Sequence, residues 1–142
     1  MAKILVVDDE CMIPALLLEC LKRYGHTVKL ARSTVGALGW LCLEEFELAI
    51  LDAMMEGPMD GLGLCRMIRN TPLKTPAKVL VISSDPDMKE KALTAGADAF
   101  LPKPFDLLEI TSCVTKLIDL GRGVSCQPQN PSLEETILQY LN

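Results

Sequence analysis

Aromatic residues make up only 4 % of this 142-residue chain, so whatever core it builds is aliphatic. The longest basic cluster is Lys22-Arg23, and the net charge is −5. A nucleic-acid surface needs clustered Lys and Arg, so direct nucleic-acid binding is not expected. No apolar run approaches the ~20 residues of a membrane span, and Met1-Ala2-Lys3 leads straight into a strand pattern. Neither a membrane anchor nor a signal peptide is therefore expected. The cysteines at 11, 20, 42, 65, 113 and 126 form no CxxC pair, and most fall on apolar helix faces. Free Cys in such places behaves as a small hydrophobe, which points to a reduced, cytoplasmic setting and away from thiol-bound metal.

What the chain does have is apolar residues, at 49 %. A chain of this length forms one domain by prior and can bury a core without disulfides or a structural metal. Short β-rich runs, at about 3–7, 27–30, 47–51, 78–82 and 98–102, alternate with helix-period segments at about 11–24, 34–44, 60–70, 86–95 and 105–120. Gly25 follows Lys22-Arg23-Tyr24 as a helix stop, Ser33 and Asp60 are placed to cap the second and third helices, and Asp85-Pro86 reads as a cap with a first-turn proline. Pro14 is tolerable because it falls in the first turn of its helix. The strands are apolar throughout rather than alternating, which predicts a parallel sheet covered on both faces. Five βα units predict a doubly wound, flavodoxin-like α/β fold with strand order 2-1-3-4-5.

The character changes after residue 120. Gly121-Arg122-Gly123 stops the fifth helix, and Val124 to Pro131 reads as a linker. Ser132-Leu133-Glu134-Glu135 is then a capping-box pattern that starts a short amphipathic helix, with Leu133, Ile137 and Leu141 on one face. The expected organisation is a domain over 1–120 and a linker with a C-terminal helix over 121–142, too short for an output domain. The fifth helix is poor in charge, and its apolar residues at 105, 107, 108, 110, 114, 117, 118 and 120 exceed one core-facing stripe. Either a partner, a second copy or the tail helix covers it, or the stripe is wide and buried within the domain.

Chemistry concentrates at the strand ends. Asp8 and Asp9 follow Lys3-Ile4-Leu5-Val6-Val7, Asp52 ends Leu48-Ala49-Ile50-Leu51, Ser83 follows the fourth strand and Lys103 the fifth. Singly, each has a plain explanation: a strand-end Asp is commonly a turn residue or a cap, Asp9 could cap the first helix, and Lys103 could be a surface charge. Jointly they do not. In an open α/β sheet, ligands bind beyond the carboxyl ends of the strands where the strand order reverses, here between the first and third strands. Three carboxylates there repel one another unless a cation joins them, and an all-oxygen set with open positions suits Mg²⁺. His26, the only histidine, lies in a helix-to-strand turn away from that edge, and Glu10 and Asp98 are structural. Gly61-Leu62-Gly63 lacks the rest of a dinucleotide fingerprint.

The segments Val6-Val7-Asp8-Asp9-Glu10, Leu51-Asp52, Met59-Asp60-Gly61, Val79-Leu80-Val81-Ile82-Ser83, Ala95-Gly96-Ala97-Asp98-Ala99-Phe100 and Lys103-Pro104-Phe105 resemble, in order and spacing over residues 1–120, the receiver domain of two-component response regulators. The resemblance implies Mg²⁺-dependent transfer of a phosphoryl group onto Asp52 from a histidine kinase or phosphotransfer protein, and signalling to a downstream protein target. It implies Mg²⁺ ligation by Asp9, Asp52 and the Met54 carbonyl, with Asp8 acting partly through water. Ser83 would bond the phosphoryl oxygens, Lys103 would pair with them, Phe100 would be the aromatic switch, and Lys103-Pro104 a cis peptide. A second copy, as a homodimer, is among the candidate partners. One departure stands out: receivers usually carry Met-Pro soon after the acceptor and Asp-Gly seven residues beyond it, whereas the loop Asp52 to Asp60 is one residue longer with its proline displaced. That puts the path of the acceptor loop, and the lifetime of the phosphoryl group, in question.

A rival of another class is a Mg²⁺-dependent phosphatase of the aspartyl-phosphate type. That family places Asp-x-Asp after its first strand, where this chain has adjacent Asp8 and Asp9. A degenerate receiver serving as a scaffold is disfavoured, because every required residue is present. No catalytic turnover of an external substrate is expected.

Overall fold

The computed structural model describes residues 1–71 and 77–123. Five strands, β1 (Lys3–Val7), β2 (Thr27–Ala31), β3 (Leu48–Asp52), β4 (Lys78–Ser83) and β5 (Ala99–Pro102), alternate with α1 (Met12–Arg23), α2 (Thr34–Leu43), α3 (Gly61–Asn70), α4 (Met88–Thr94) and α5 (Leu107–Gly121). The strands form one sheet, parallel as the apolar runs predict, in the order β2-β1-β3-β4-β5 of the expected flavodoxin-like fold. Side chains alternate across it into two cores. Leu5, Val7, Ala49, Leu51, Val79 and Val81 pack with residues of α2, α3 and α4. Ile4, Val6, Leu48, Ile50, Leu80 and Ile82 pack with α1 and α5. Each Val, Leu or Ile among them contributes about 1.5–3 kcal/mol by leaving water, so the three central strands, buried on both faces, carry much of the stability.

Local chemistry sets most element limits as expected. Ser33 Oγ accepts the Gly36 N–H at 3.0 Å and caps α2, Asp60 Oδ1 accepts the Gly63 N–H at 2.8 Å and caps α3, and Pro14 lies in the first turn of α1. Gly25 leaves α1 with φ +87°, a conformation that side-chain-bearing residues resist. Two expectations need correction. Asp85-Pro86 does not start α4: Asp85 Oδ1 accepts the Asp87 N–H at 2.9 Å in a local turn, and the helix begins two residues after the proline. Helix α5 does not begin at Phe105, because Asp106 and Glu109 form a reciprocal capping box that fixes its start at Leu107. The plain alternative for Asp9, a cap on α1, is excluded, because the N-cap is Cys11, with no side-chain bond.

The apolar excess of α5 is mostly consumed inside the domain. Ile110, Val114, Leu117 and Ile118 are buried, leaving Leu107 and Leu108 at one end and Leu120 at the other exposed. The described cysteines 11, 20, 42, 65 and 113 are free thiols. Among the described residues no helix is long and apolar enough to cross a membrane. Cys126 and the expected tail helix lie outside the described residues.

Candidate functional site

Strand register assembles the site. Val7 pairs with Leu51, so Asp8 and Asp52 leave neighbouring strands side by side. Asp52 pairs with Ile82, and the Ala53 N–H bonds the Ile82 carbonyl, which brings Ser83 alongside. Ser83 pairs with Pro102, and its carbonyl accepts the Lys103 N–H at 2.8 Å. Asp8, Asp52, Ser83 and Lys103 thus form one row across four strand ends. Asp9, the next residue along, completes a group with Asp8 and Asp52 whose carboxylate oxygens lie within 4.8 Å of one another.

The electrostatics of the row are unbalanced. Lys103 Nζ lies 3.0 Å from Asp52 Oδ2 and 3.6 Å from Asp8 Oδ2, so one ammonium pairs with two carboxylates of a group of three. Burial would lower the pKa of this lysine. Its hydrogen bond to Asp52 and the charges of Asp52, Asp8 and Glu10 outweigh that and hold it above its ordinary value. Asp8 is the opposite case: burial, reinforced by the Asp52 charge, pushes its carboxyl above the usual range against the lowering effects of the Glu10 N–H and Lys103. Asp8 Oδ1 accepts the Glu10 N–H at 2.9 Å, whereas Oδ2 is buried without a hydrogen-bond partner. A buried carboxylate oxygen in that state is costly. An all-oxygen donor set with surplus negative charge and an orphaned oxygen fits a hard divalent cation such as Mg²⁺.

The remaining residues singled out from the sequence surround this row. Asp52 Oδ1 accepts the Met54 N–H at 3.0 Å, and the Met54 side chain is exposed beside it. Ser83 is fully buried, and its Oγ accepts the Asp85 N–H at 3.1 Å, a use that occupies a lone pair and not the hydroxyl proton. Phe100 is half-buried and packs against the core under α2, α3 and α4. Lys103-Pro104 is a cis peptide. The longer acceptor loop is pinned by a bond no motif announces, from the Glu56 N–H to Asp9 Oδ2 at 3.3 Å. Gly57 turns it with φ +114°, and Thr34 Oγ1 reaches the Met59 carbonyl at 3.4 Å.

Gly61 is a positioning residue that chemistry-led reading of the sequence passes over. A Cβ there would stand 1.8 Å from the Asp52 carbonyl oxygen, so only glycine lets α3 start directly behind the acceptor strand. The Asp60-Gly61 pair was its signal. His26 and Asp98 prove structural. His26 Nδ1 accepts the Ala2 N–H at 3.0 Å. Asp98 accepts the Val79 N–H and pairs with Arg69, whose guanidinium also bonds the carbonyls of Gly96 and Ala77.

Residues 4–115 match the family model of the response regulator receiver domain. The chain belongs to that family. This receiver domain is 37 % identical over 116 residues to response regulator MprA of Mycobacterium ulcerans, an alignment covering 82 % of this chain and 50 % of the relative. The chain therefore spans about half the length of the curated relatives it matches. Among solved structures, the response regulator TrrA of Thermotoga maritima, in complex with Mg²⁺-BeF, is 33 % identical, with a TM-score of 0.74 over 82 % of this chain and 99 % of that one. NtrX of Brucella abortus is 29 % identical, with a TM-score of 0.78 over 85 % of this chain and 28 % of that one. The receiver is a signalling domain of two-component systems.

Proposed function

We propose that the domain spanning residues 1–120 accepts a phosphoryl group on Asp52 from a phosphorylated histidine of a sensor kinase or phosphotransfer protein. The observation that carries this reading is the row of strand ends in which Lys103 bridges Asp52 and Asp8, at 3.6 Å from an Asp8 oxygen that is buried and accepts no hydrogen bond. Asp8, Asp9, Asp52 and the Met54 carbonyl would hold Mg²⁺, which supplies charge neutralisation between an anionic nucleophile and an anionic phosphoryl group.

A carboxylate oxygen of Asp52 attacks the phosphorus in line. The new P–O bond forms as the P–N bond to the donor imidazole breaks, and the imidazole leaves with the bonding electron pair. Phosphoryl transfer asks the protein mainly for positioning and charge, and the Met54 N–H and Lys103 supply both at Asp52. Lys103 then pairs with a phosphoryl oxygen, and the Ser83 hydroxyl donates its free proton to another. Movement of Ser83 toward the phosphoryl group shifts Phe100 between inward and outward rotamers and alters the surface read by a downstream protein. The phosphoryl group shifts that equilibrium only through its different affinity for the two states. Water attacks the acyl phosphate to release inorganic phosphate and regenerate Asp52, so the domain carries a transient mark and does not turn over external substrates.

Incubating the protein with acetyl phosphate and Mg²⁺, then mapping the adduct by mass spectrometry, tests the proposal. One phosphoryl group is expected on the peptide containing Asp52 and none in Asp52→Asn, a near-isosteric change that leaves the fold intact. Full labelling of Asp52→Asn would place the acceptor elsewhere.

A further inference from the structure

The acceptor loop departs from the usual receiver pattern at one atom that faces the acidic row. Where receivers usually carry Met-Pro soon after the acceptor, this chain reads Met55-Glu56, with its proline moved to Pro58. Proline has no backbone N–H, so the displacement adds a donor to the loop. That donor is the Glu56 N–H, and it bonds Asp9 Oδ2 at 3.3 Å from 47 residues away in sequence.

The rest of the loop holds this donor in place. Met55 is buried in the core under α2, α3 and α4, while Met54 and Glu56 on either side of it are exposed. Gly57 turns the chain at φ +114°, and the buried Thr34 donates its hydroxyl to the Met59 carbonyl at 3.4 Å. A Cβ at Gly57 would meet nothing within 4 Å, so glycine serves the turn there and not the packing. Asp9 also needs such a partner more than its neighbours do. Asp8 is held by the Glu10 N–H, and Asp52 by the Met54 N–H and Lys103. Among the described residues, the Glu56 N–H is the one hydrogen-bond donor to the Asp9 carboxylate. Half-buried and repelled by two like charges, that carboxylate would otherwise swing away from the row.

On the Mg²⁺ site of the proposed function, we propose that Glu56, through its N–H, is a positioning residue for the metal. It holds the Asp9 carboxylate beside Asp8 and Asp52 and leaves Asp9 lone pairs for the cation. An ionised carboxylate has about four acceptor positions, so one N–H leaves room for metal ligation. Hydrogen bonds to metal-binding carboxylates are typically worth about 10–100-fold in affinity. A bond at 3.3 Å from an exposed loop residue belongs at the lower end of that range.

Glu56→Pro removes the N–H, and Glu56→Ala loses the same side-chain charge but keeps the N–H, so the second variant is the reference for the first. Mg²⁺ titrations of the unphosphorylated proteins, followed by amide NMR shifts, are expected to show binding about tenfold weaker in Glu56→Pro than in Glu56→Ala. Gly57→Ala strains the turn that aims the N–H without filling occupied space. It should weaken binding relative to the unmodified protein, and it decides the question if the proline variant does not fold. Labelling of Asp52 by acetyl phosphate in Glu56→Pro should recover when Mg²⁺ is raised about tenfold, which a merely structural defect would not allow. Equal Mg²⁺ affinity in Glu56→Pro and Glu56→Ala, or in Gly57→Ala and the unmodified protein, would overturn the proposal. A urea midpoint lowered as much in chelator as in Mg²⁺ would make the bond structural only and overturn it equally. Either result, with Mg²⁺ bound and Asp52 labelled in the unmodified protein, would leave the proposed function standing; absence of Mg²⁺ binding there would overturn both.

Discussion

Gly61 and Asp8 show how single residues set up the candidate site. The near contact between Gly61 and the Asp52 carbonyl leaves no room for a methyl group. Gly61→Ala should force α3 away from the acceptor strand and cost about 1–3 kcal/mol or more, as overpacking does. Urea unfolding reads the loss, and phosphoryl labelling of Asp52 should fall with it. Asp8 behaves differently. Its carboxyl is held above the ordinary value of 3.8 chiefly by burial. A group with a raised folded pKa stabilises the fold below its unfolded pKa and loses that contribution as pH rises through the folded one. At neutral pH, ionised Asp8 therefore opposes folding in the absence of a divalent cation. Asp8→Asn should raise the urea midpoint at pH 7 in chelator and weaken the response to added Mg²⁺; an unchanged or lower midpoint would contradict this. The acidic residues were legible in the sequence because charge has no ordinary place at the end of an apolar strand. Gly61 was visible only as half of the Asp60-Gly61 pair; why it must be glycine lies in what it lacks, and the approach of the Asp52 backbone reveals that.

At the scale of elements, caps decided what the sequence could and could not locate. Ser33 and Asp60 were readable as caps because each precedes its helix directly and bonds the third residue on. Asp85-Pro86 misled because an Asp before a proline also makes a local turn, and here Asp85 spends its carboxylate on the Asp87 N–H. In α5 the Asp106–Glu109 box outweighed the apolar Phe105 as the start signal. Asp106→Ala should remove one partner of that box and cost about 1 kcal/mol, the usual loss at an N-cap. Chemical denaturation should show this with phosphorylation of Asp52 retained, since Asp106 contacts no residue of the acidic row. The width of the α5 stripe was visible in sequence, but which neighbours would absorb it depended on tertiary packing.

Over the whole molecule, parallel strands put two unlike clusters at opposite ends of one sheet. At the strand starts, Arg122, Glu47, the Met1 carbonyl, and the Ala2–His26 bond tie both ends of the described domain together. Burial, with help from the N-terminal ammonium and Arg122, lowers the pKa of His26 below 6.5 despite Glu47. The folded form thus prefers neutral His26, and its contribution, present above pH 6.5, is lost as pH falls through the folded pKa. Stability of the unmodified protein should drop more between pH 7 and pH 5 than that of His26→Gln, which keeps an acceptor for the Ala2 N–H. Parallel pH profiles of the two proteins would refute this. The parallel sheet was legible from the apolar runs, but the clasp was not, because Arg122 and Glu47 lie 75 residues apart and share no motif.

The orphaned oxygen of Asp8 and the clasp at Arg122 have a joint consequence for how this protein would look to selection. Cellular abundance follows folding stability. A screen scoring only how much protein accumulates would reward neutralisation of Asp8 and penalise loss of Arg122 or Glu47. It would score the end of the sheet proposed to carry the chemistry as more tolerant of change than the chemically silent end. Abundance and signalling, measured side by side across the same variants, should therefore diverge along the strand axis, and the residues where they part would outline the pocket without any ligand being known.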